Sequence, residues 1–134
     1  MVSKVEAAKR LLTLQEAGES FGAFCRLHHP QWKVPMFHHK LIEALDRLEK
    51  GTLLSDFNDE WAVIEHNHNN RNSPELQKTY TRPLETHTLH NVMINMPPRH
   101  SKSSYATQLF PSYYLARNPT RFSMTASYNS QLAT

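Results

Sequence analysis

The sequence predicts an α/β fold in which helices at the N-terminus precede a strand, a tight loop and a further helix. Two observations carry this prediction. Residues 36–50 place apolar side chains at helical spacing along one face. Residues 92–96 form a short, mostly apolar run that ends abruptly at Pro97. Such runs are typical of buried parallel strands, which occur almost only in α/β proteins.

The first two helices are predicted from their ends. Ser3 and Glu6 have the spacing of a capping box, so a helix over residues 3–17 is expected to end at Gly18. A second, shorter helix is expected over residues 19–28.

The helix over residues 36–50 is the most regular pattern in the chain. Pro35 precedes it and Gly51 follows it, the usual residues at these two ends. Its apolar positions are Phe37, Leu41, Ala44, Leu45 and Leu48.

Lys102 and Ser103 open a segment with helical spacing six residues after the predicted strand. The order strand, loop, Lys-Ser and helix is that of a phosphate-binding loop, whose pattern is G-x-x-x-x-G-K-[ST]. Met96 and Ser101 stand at the two glycine positions, so Ser101 is strained if its φ is positive. In such a loop the lysine contacts the phosphates and the serine hydroxyl ligates Mg²⁺, which predicts ATP and Mg²⁺ as cofactors. A solvated Lys-Ser pair at a helix start is the simpler alternative.

Beyond the loop, a helix is expected over residues 101–110, kinked or ended by Pro111. Residues 121–127 alternate apolar and polar side chains, which predicts the next strand. A last helix is expected to start at Asn129.

The composition fits one small domain: 134 residues, 39% hydrophobic and 20% charged. The sequence shows no apolar run long enough to span a bilayer and no signal peptide, so we expect a cytosolic protein without a membrane partner. Cys25 is the single cysteine, and the expected role for it is that of a small buried hydrophobe.

The acidic residues are unevenly distributed. Residues 91–134 carry four Lys or Arg and no Asp or Glu. Residues 52–90 carry three Lys or Arg and six Asp or Glu. ATP hydrolysis needs a carboxylate on a later strand to hold Mg²⁺, and often another to activate water. We therefore expect this chain by itself not to hydrolyse ATP at a significant rate.

Three strings after residue 90 carry a family resemblance. I-N-M-P-P-R-H-S-K-S (94–103), L-F-P-S-Y-Y-L-A-R-N-P (109–119) and A-S-Y-N-S-Q-L-A (126–133) resemble the large terminase subunit of tailed bacteriophages. This family is the ATPase that drives genome packaging. The spacing of Phe24 and Pro30, the pair His38-His39 and a leucine-rich helix ending in Glu-Lys-Gly are similar to its N-terminal adaptor.

The resemblance implies a RecA/ASCE-like P-loop NTPase fold, of which this chain holds only the first β-α-β part. It divides the chain into a helical adaptor (1–51), an inserted polar segment that is partly disordered (52–90) and a truncated ATPase core (91–134). The insertion departs from the family, in which only a handful of residues usually stand there.

The resemblance also implies the residues of a nucleotide site. Arg99 would act as a cis arginine near the γ-phosphate, and Ser103 would ligate Mg²⁺ through the nucleotide. The residues expected to contact the nucleotide are Pro98, Arg99, His100, Ser101, Lys102, Ser103, Ser104 and His39.

Complete family members join this ATPase to an RNase H-like nuclease that cuts the DNA concatemer. The partners implied are double-stranded phage DNA, the small terminase subunit and the portal protein, in the cytoplasm of a bacterial host. Self-assembly is expected only of the full-length form. This chain lacks the Walker B carboxylate, the catalytic carboxylate and the nuclease acids, so it is expected to be the N-terminal fragment of a degraded, split or interrupted gene.

Three alternatives remain open from the residues. The chain could bind a nucleotide as an interaction module without turnover. It could be a basic nucleic-acid-binding fragment that uses Arg99, Lys102, Arg117 and Arg121, with Tyr105, Tyr113 and Tyr114 stacking on bases. The histidines at positions 66, 68, 87 and 90 have spacing that could bind zinc, although solvated histidines explain them more simply.

Overall fold

A computed structural model describes residues 2–97 and 101–126, and the chain divides into two compact units. Unit 1 combines Met1–Trp32 with Ile94–Thr134, and unit 2 is Lys33–Met93. The described residues form five α-helices: α1 (Lys4–Glu19), α2 (Phe21–His28), α3 (Met36–Lys50), α4 (Phe57–Asn69) and α5 (Phe110–Arg117). A 3-10 turn (Pro74–Leu76) and a π-helical segment (Ser104–Leu109) complete the regular structure.

The prediction of an α/β fold is wrong, because the described residues contain no strand. A single antiparallel bridge joins Leu54 to Thr88. Residues 91–97 and 121–126 are irregular, and the apolar side chains Met93, Phe122 and Met124 are each more than 80% exposed. A strand takes its hydrogen bonds from neighbouring strands, so an apolar run or an alternating pattern cannot form one without a partner strand.

The three N-terminal helices are confirmed. The Ser3 side chain accepts a hydrogen bond from the N–H of Glu6, as the capping-box spacing predicts. Helix α1 continues through Gly18 to Glu19, and Ser20 then caps α2. Helix α3 has the predicted bounds, and Gly51 ends it in the left-handed conformation, with φ at 73°.

The helix after Lys102 does not end at Pro111. It widens into the π-helical segment, where the N–H of Phe110 donates to the carbonyl of Tyr105, five residues back. It then continues as α5, which has Pro111 in its first turn. A proline cannot donate to the carbonyl four residues before it, so wider winding just ahead of Pro111 accommodates the missing bond. The helix expected from Asn129 lies outside the described residues.

Unit 1 is held together by rings from α2 and α5. Phe21 is fully buried and contacts Phe110 and Tyr113, with both ring centroids 5.4 Å away. Phe24 contacts Tyr113 at 5.5 Å. Near the start of the helical segment, the ring of Tyr105 meets that of Trp32 at 5.4 Å, edge to face.

Unit 2 has an apolar core between α3 and α4. The buried members are Ala44, Leu53, Phe57 and Trp61, and Met36, Leu48 and Leu89 pack against them. The segment expected as a polar insertion (52–90) supplies most of this core. Two backbone hydrogen bonds flank the bridge between Leu54 and Thr88. The N–H of Ser55 donates to the carbonyl of His87, and the N–H of Leu89 donates to the carbonyl of Leu53, both at 2.8 Å. The observed units group residues by contact, so the insertion itself stays a prediction.

Candidate phosphate-binding site

Ser101 stands at the second glycine position of the phosphate-loop pattern, and its backbone has φ at 60°. It is the one non-glycine residue with positive φ in the part of the chain that the structure describes. A side chain in this conformation costs about 1–2 kcal/mol, which is why glycine usually occupies such positions. Ser101 therefore has, at an energetic cost, the backbone conformation that a glycine adopts without strain.

The helix begins immediately after this residue. Lys102 and Ser103 are helical and exposed, and Ser104 is half-buried. The N–H of Tyr105 donates to the carbonyl of Ser101 at 3.2 Å, which closes the first turn. The first N–H groups of a helix have no acceptor within it, and together with the helix dipole they favour an anion. A lysine ammonium and a serine hydroxyl at this point add one positive charge and one possible magnesium ligand.

Buried side chains on one face hold this helix in place. Tyr105, Leu109 and Tyr113 follow one another at intervals of four residues and are at most 9% exposed. Tyr105 and Tyr113 make the contacts with Trp32, Phe21 and Phe24 described above. The exposed Lys102 thus stands at the start of a helix whose other face is anchored in the core of unit 1.

Cys25 is a buried hydrophobe, as predicted. Its side chain is in the core of unit 1, and burial raises the pKa of the thiol to about 12. A thiol with this pKa stays protonated at neutral pH, which disfavours a nucleophilic role. Burial also raises the pKa of Tyr105.

The other predicted site residues are placed as follows. His39 is exposed on α3, in unit 2, whereas its neighbour His38 is buried and contacts the ring of Phe37. Pro98, Arg99 and His100 lie outside the described residues. The roles proposed for these three residues therefore remain predictions.

The structure also contains a network of charged side chains that the sequence did not predict. In unit 2, the carboxylate of Asp56 is 3% exposed, lies 3.3 Å from Arg82 and accepts a hydrogen bond from the hydroxyl of Tyr80 at 2.5 Å. Glu60 pairs with Arg82 and with Arg47, each at 3.0 Å. The two acids are four residues apart, but their arginine and tyrosine partners are separated from them by 13 to 26 positions, so no local pattern reveals the network.

Hydrogen bonds in this network change two pKa values. The hydrogen bond to Asp56 raises the pKa of Tyr80 to about 12, because the phenolate would lose that bond and would stand beside a carboxylate. The hydrogen bond to Glu60 raises the pKa of Arg47, which also lies over the ring of Phe57. The network has a structural role, because it links the segment after α4 to α3 and α4.

One of the histidines weighed as zinc ligands, His66, has a hydrogen-bond partner of its own. The Nε2 of His66 donates to the carbonyl of Leu76 at 2.8 Å. Between His66 and His68, the side chain of Asn67 makes two hydrogen bonds to the backbone of Lys78, each 2.8 Å. Across residues 2–97 and 101–126 there is no group of three His, Cys, Asp or Glu side chains that could hold a metal ion.

The nucleic-acid alternative loses part of its basis. Tyr105 and Tyr113 are each 1% exposed, so their rings cannot stack on bases. The guanidinium of Arg117 donates to the carbonyl of Gly18 at 2.6 Å and lies over Tyr113. Of the residues that this alternative requires, Lys102, Arg117 and Arg121 are exposed, Tyr114 is partly exposed, and Arg99 lies outside the described residues.

No helix in the described part of the chain is long and apolar enough to cross a membrane. Comparisons with protein-family models, with curated proteins and with solved structures found no match for this chain. The resemblance to large terminases is therefore a hypothesis that rests on the sequence strings alone.

Proposed function

We propose that this chain carries the adaptor and nucleotide-binding segments of a phage DNA-packaging large terminase, and that residues 101–104 bind the phosphates of ATP with Mg²⁺. The observation that carries the proposal is the positive φ of Ser101 directly before a helix that begins with Lys102 and Ser103. The proposal concerns this loop and helix start, and no sheet is part of it.

Each residue of the loop has a defined task. The N–H groups of residues 102–104 and the ammonium of Lys102 bind phosphate oxygens, and the hydroxyl of Ser103 ligates the Mg²⁺ that accompanies the nucleotide. Ser101 holds the backbone in the conformation that lets the phosphates approach. The family resemblance adds Pro98, Arg99 and His100 as expected contacts of the nucleotide.

By this proposal the chain binds the nucleotide and does not turn it over alone. The acidic residues precede the loop in the sequence, and none follows residue 90. A second site for Mg²⁺ and a positioned water would come from elsewhere in the packaging enzyme. The resemblance further suggests double-stranded DNA, the small terminase subunit and the portal protein as partners, in the cytoplasm of a bacterial host.

Calorimetric titration of the full chain with MgATP tests the proposal. The Lys102→Ala variant should lose measurable binding, whereas Lys33→Ala, which removes another exposed lysine, should bind like the parent. Ser101→Gly should bind at least as tightly, because glycine takes positive φ without strain. Ser101→Val should bind more weakly, because a β-branched residue disfavours that backbone. Equal affinity of Lys102→Ala and the parent would refute the phosphate-loop assignment.

A phosphate-release assay separates binding from turnover. We expect a rate far below about 1 per second, the lower end of ordinary enzyme turnover. Activity at that rate or above, lost in Lys102→Ala, would show that the chain supplies its own carboxylates. Binding of double-stranded DNA that weakens steeply with salt, without any effect of ATP, would instead favour the nucleic-acid alternative.

A further inference from the structure

Helices α1, α2 and α5 of unit 1 surround an open cavity of about 490 Å³. Its lining includes buried apolar side chains, since Ala17 is 4% exposed and Tyr113 is 1% exposed. It also includes apolar side chains that reach solvent: Leu14 on α1 is 58% exposed and Leu27 on α2 is 37% exposed. A cavity of this size with largely apolar walls is typical of a site for a small molecule, which gains affinity by covering such side chains.

A single positive charge lies at this cavity. Arg117, in the last turn of α5, is the only charged residue among the described residues that line it. Its Nη1 donates to the carbonyl of Gly18 at 2.6 Å, and its Cζ lies 5.7 Å from the ring centroid of Tyr113. Gly18 and Tyr113 also line the cavity, so these two contacts hold the guanidinium against its wall. The cavity therefore combines apolar walls with a fixed charge, because a guanidinium stays protonated at every ordinary pH.

Gly18 adds open space to the wall formed by α1. A Cβ atom on Gly18 would meet nothing within 4 Å, and the φ of Gly18 is not positive, so its backbone does not require a glycine. Glycine is also less favourable than other residues within a helix. A larger side chain can therefore be placed here to fill part of the cavity without disturbing α1.

The lining favours one class of ligand. Arg117 repels a cationic ligand, and a wholly polar ligand would leave Leu14 and Leu27 in water. A carboxylate is attracted by a guanidinium and matches its geometry. An apolar chain or ring that ends in a carboxylate complements both parts of the cavity.

We propose that this cavity binds a small amphipathic anion, an apolar chain or ring with one carboxylate. The apolar part covers Leu14 and Leu27, and the carboxylate lies at Arg117. The inference goes beyond the nucleotide-binding proposal and does not rest on it, because the residues of the phosphate loop are not part of this lining.

Decanoate and two related compounds test the class of ligand. In calorimetric titration of the full chain we expect saturable binding of decanoate with a Kd on the order of 0.1 mM, as for a small ligand in a partly open site. Butanoate, which has a shorter chain, should bind at least about tenfold more weakly, because it covers less apolar surface. Decyltrimethylammonium has the decyl chain with the opposite charge, and it should also bind at least about tenfold more weakly.

Filling the cavity tests the place of binding. Gly18→Leu should weaken decanoate binding by at least about tenfold, while circular dichroism shows helix content equal to or above that of the parent. Ala8→Leu is the matched control, because it adds a leucine at an exposed position of α1 that does not line the cavity. This variant should bind decanoate like the parent.

Removing the charge tests the role of Arg117. Arg117→Gln should weaken decanoate binding by about tenfold without weakening that of decyltrimethylammonium, and Arg117→Lys should recover part of the loss. The second ligand separates loss of charge from loss of the fold, because an unfolded chain would lose both. Arg26→Gln, at an exposed arginine of α2 that does not line the cavity, should bind decanoate like the parent.

Three results would overturn the proposal. The first is a parent without saturable decanoate binding up to about 10 mM, which would leave the cavity to a larger occupant such as a helix of a partner protein. The second is equal affinity for decanoate and decyltrimethylammonium. The third is an unchanged affinity in Gly18→Leu. Lys102→Ala should bind decanoate like the parent, so failure of the nucleotide proposal would leave this result in place.

Discussion

The two compact units are stabilised in different ways. Unit 1 is organised by rings: Phe21, Phe24, Phe110 and Tyr113 fill the contact between α2 and α5. Unit 2 adds to its apolar core a network in which the buried Asp56 is matched by Arg82 and Tyr80. Apolar contacts depend on shape and tolerate small shifts, whereas a buried carboxylate requires its particular partners. The difference suggests that unit 1 is most sensitive to loss of volume and unit 2 to loss of a charged partner.

The largest effect is expected from the core of unit 1. Phe21→Ala should lower the free energy of unfolding by about 3–5 kcal/mol, because the fully buried ring leaves a cavity between Phe110 and Tyr113. Urea denaturation followed by circular dichroism measures the change. Phe122→Ala is the matched control, since this ring is 82% exposed and its loss should cost less than about 0.5 kcal/mol. Equal costs for the two variants would contradict the placement of Phe21.

Loss of a charged partner in unit 2 should have a smaller effect. Arg82→Ala removes an arginine that contacts both Asp56 and Glu60, and we expect a loss of about 1–3 kcal/mol because the 3% exposed carboxylate of Asp56 loses a partner. Arg82 is itself 41% exposed, and solvent screening limits the effect.

Arg71→Ala is the matched control for Arg82→Ala. Arg71 is exposed and donates to the carbonyl of His68 within the same turn, so its removal should change the unfolding free energy by less than about 0.5 kcal/mol. If Arg82→Ala costs no more than Arg71→Ala, the network does not stabilise unit 2.

Predictions from the sequence succeeded where the signals are local and failed where the structure depends on distant residues. Helix α3 was predicted with its observed bounds because its apolar spacing, Pro35 and Gly51 are all local signals. The predictions of strands were wrong because a strand depends on partner strands elsewhere in the chain, and an apolar run does not specify those partners. Helix α4 was not predicted: Phe57 and Trp61 are spaced for one face of a helix, but the asparagines around them are typical of loops.

The candidate site shows the same difference between local and distant signals. Lys102 and Ser103 could be proposed as site residues because the phosphate-loop pattern is contiguous in the sequence, and the structure adds the positive φ of Ser101, which that pattern allowed but did not require. The network around Asp56 was missed because its partners are distant in the sequence. Its one local sign was the spacing of Glu43 and Arg47, four residues apart on α3 and paired at 2.9 Å.

The smallest effect is a spectroscopic one and concerns Tyr80, which links the network of unit 2 to the segment after α4. Its hydrogen bond to Asp56 raises its pKa from 10.0 to about 12. A raised pKa in the folded state means that the stabilisation is complete below pH 10 and is lost as the pH rises from 10 towards 12. In an alkaline titration of tyrosinate absorbance, Tyr80→Phe should therefore remove one late-titrating tyrosine from the parent curve. Its unfolding free energy should also fall less steeply than that of the parent between pH 10 and 12. Tyr114→Phe, a tyrosine of unit 1 without this contact, serves as the control and should keep the late step. If Tyr80→Phe removes an early step instead, then Tyr80 does not donate to Asp56 in solution, and unit 2 loses the polar contact that most distinguishes it from unit 1.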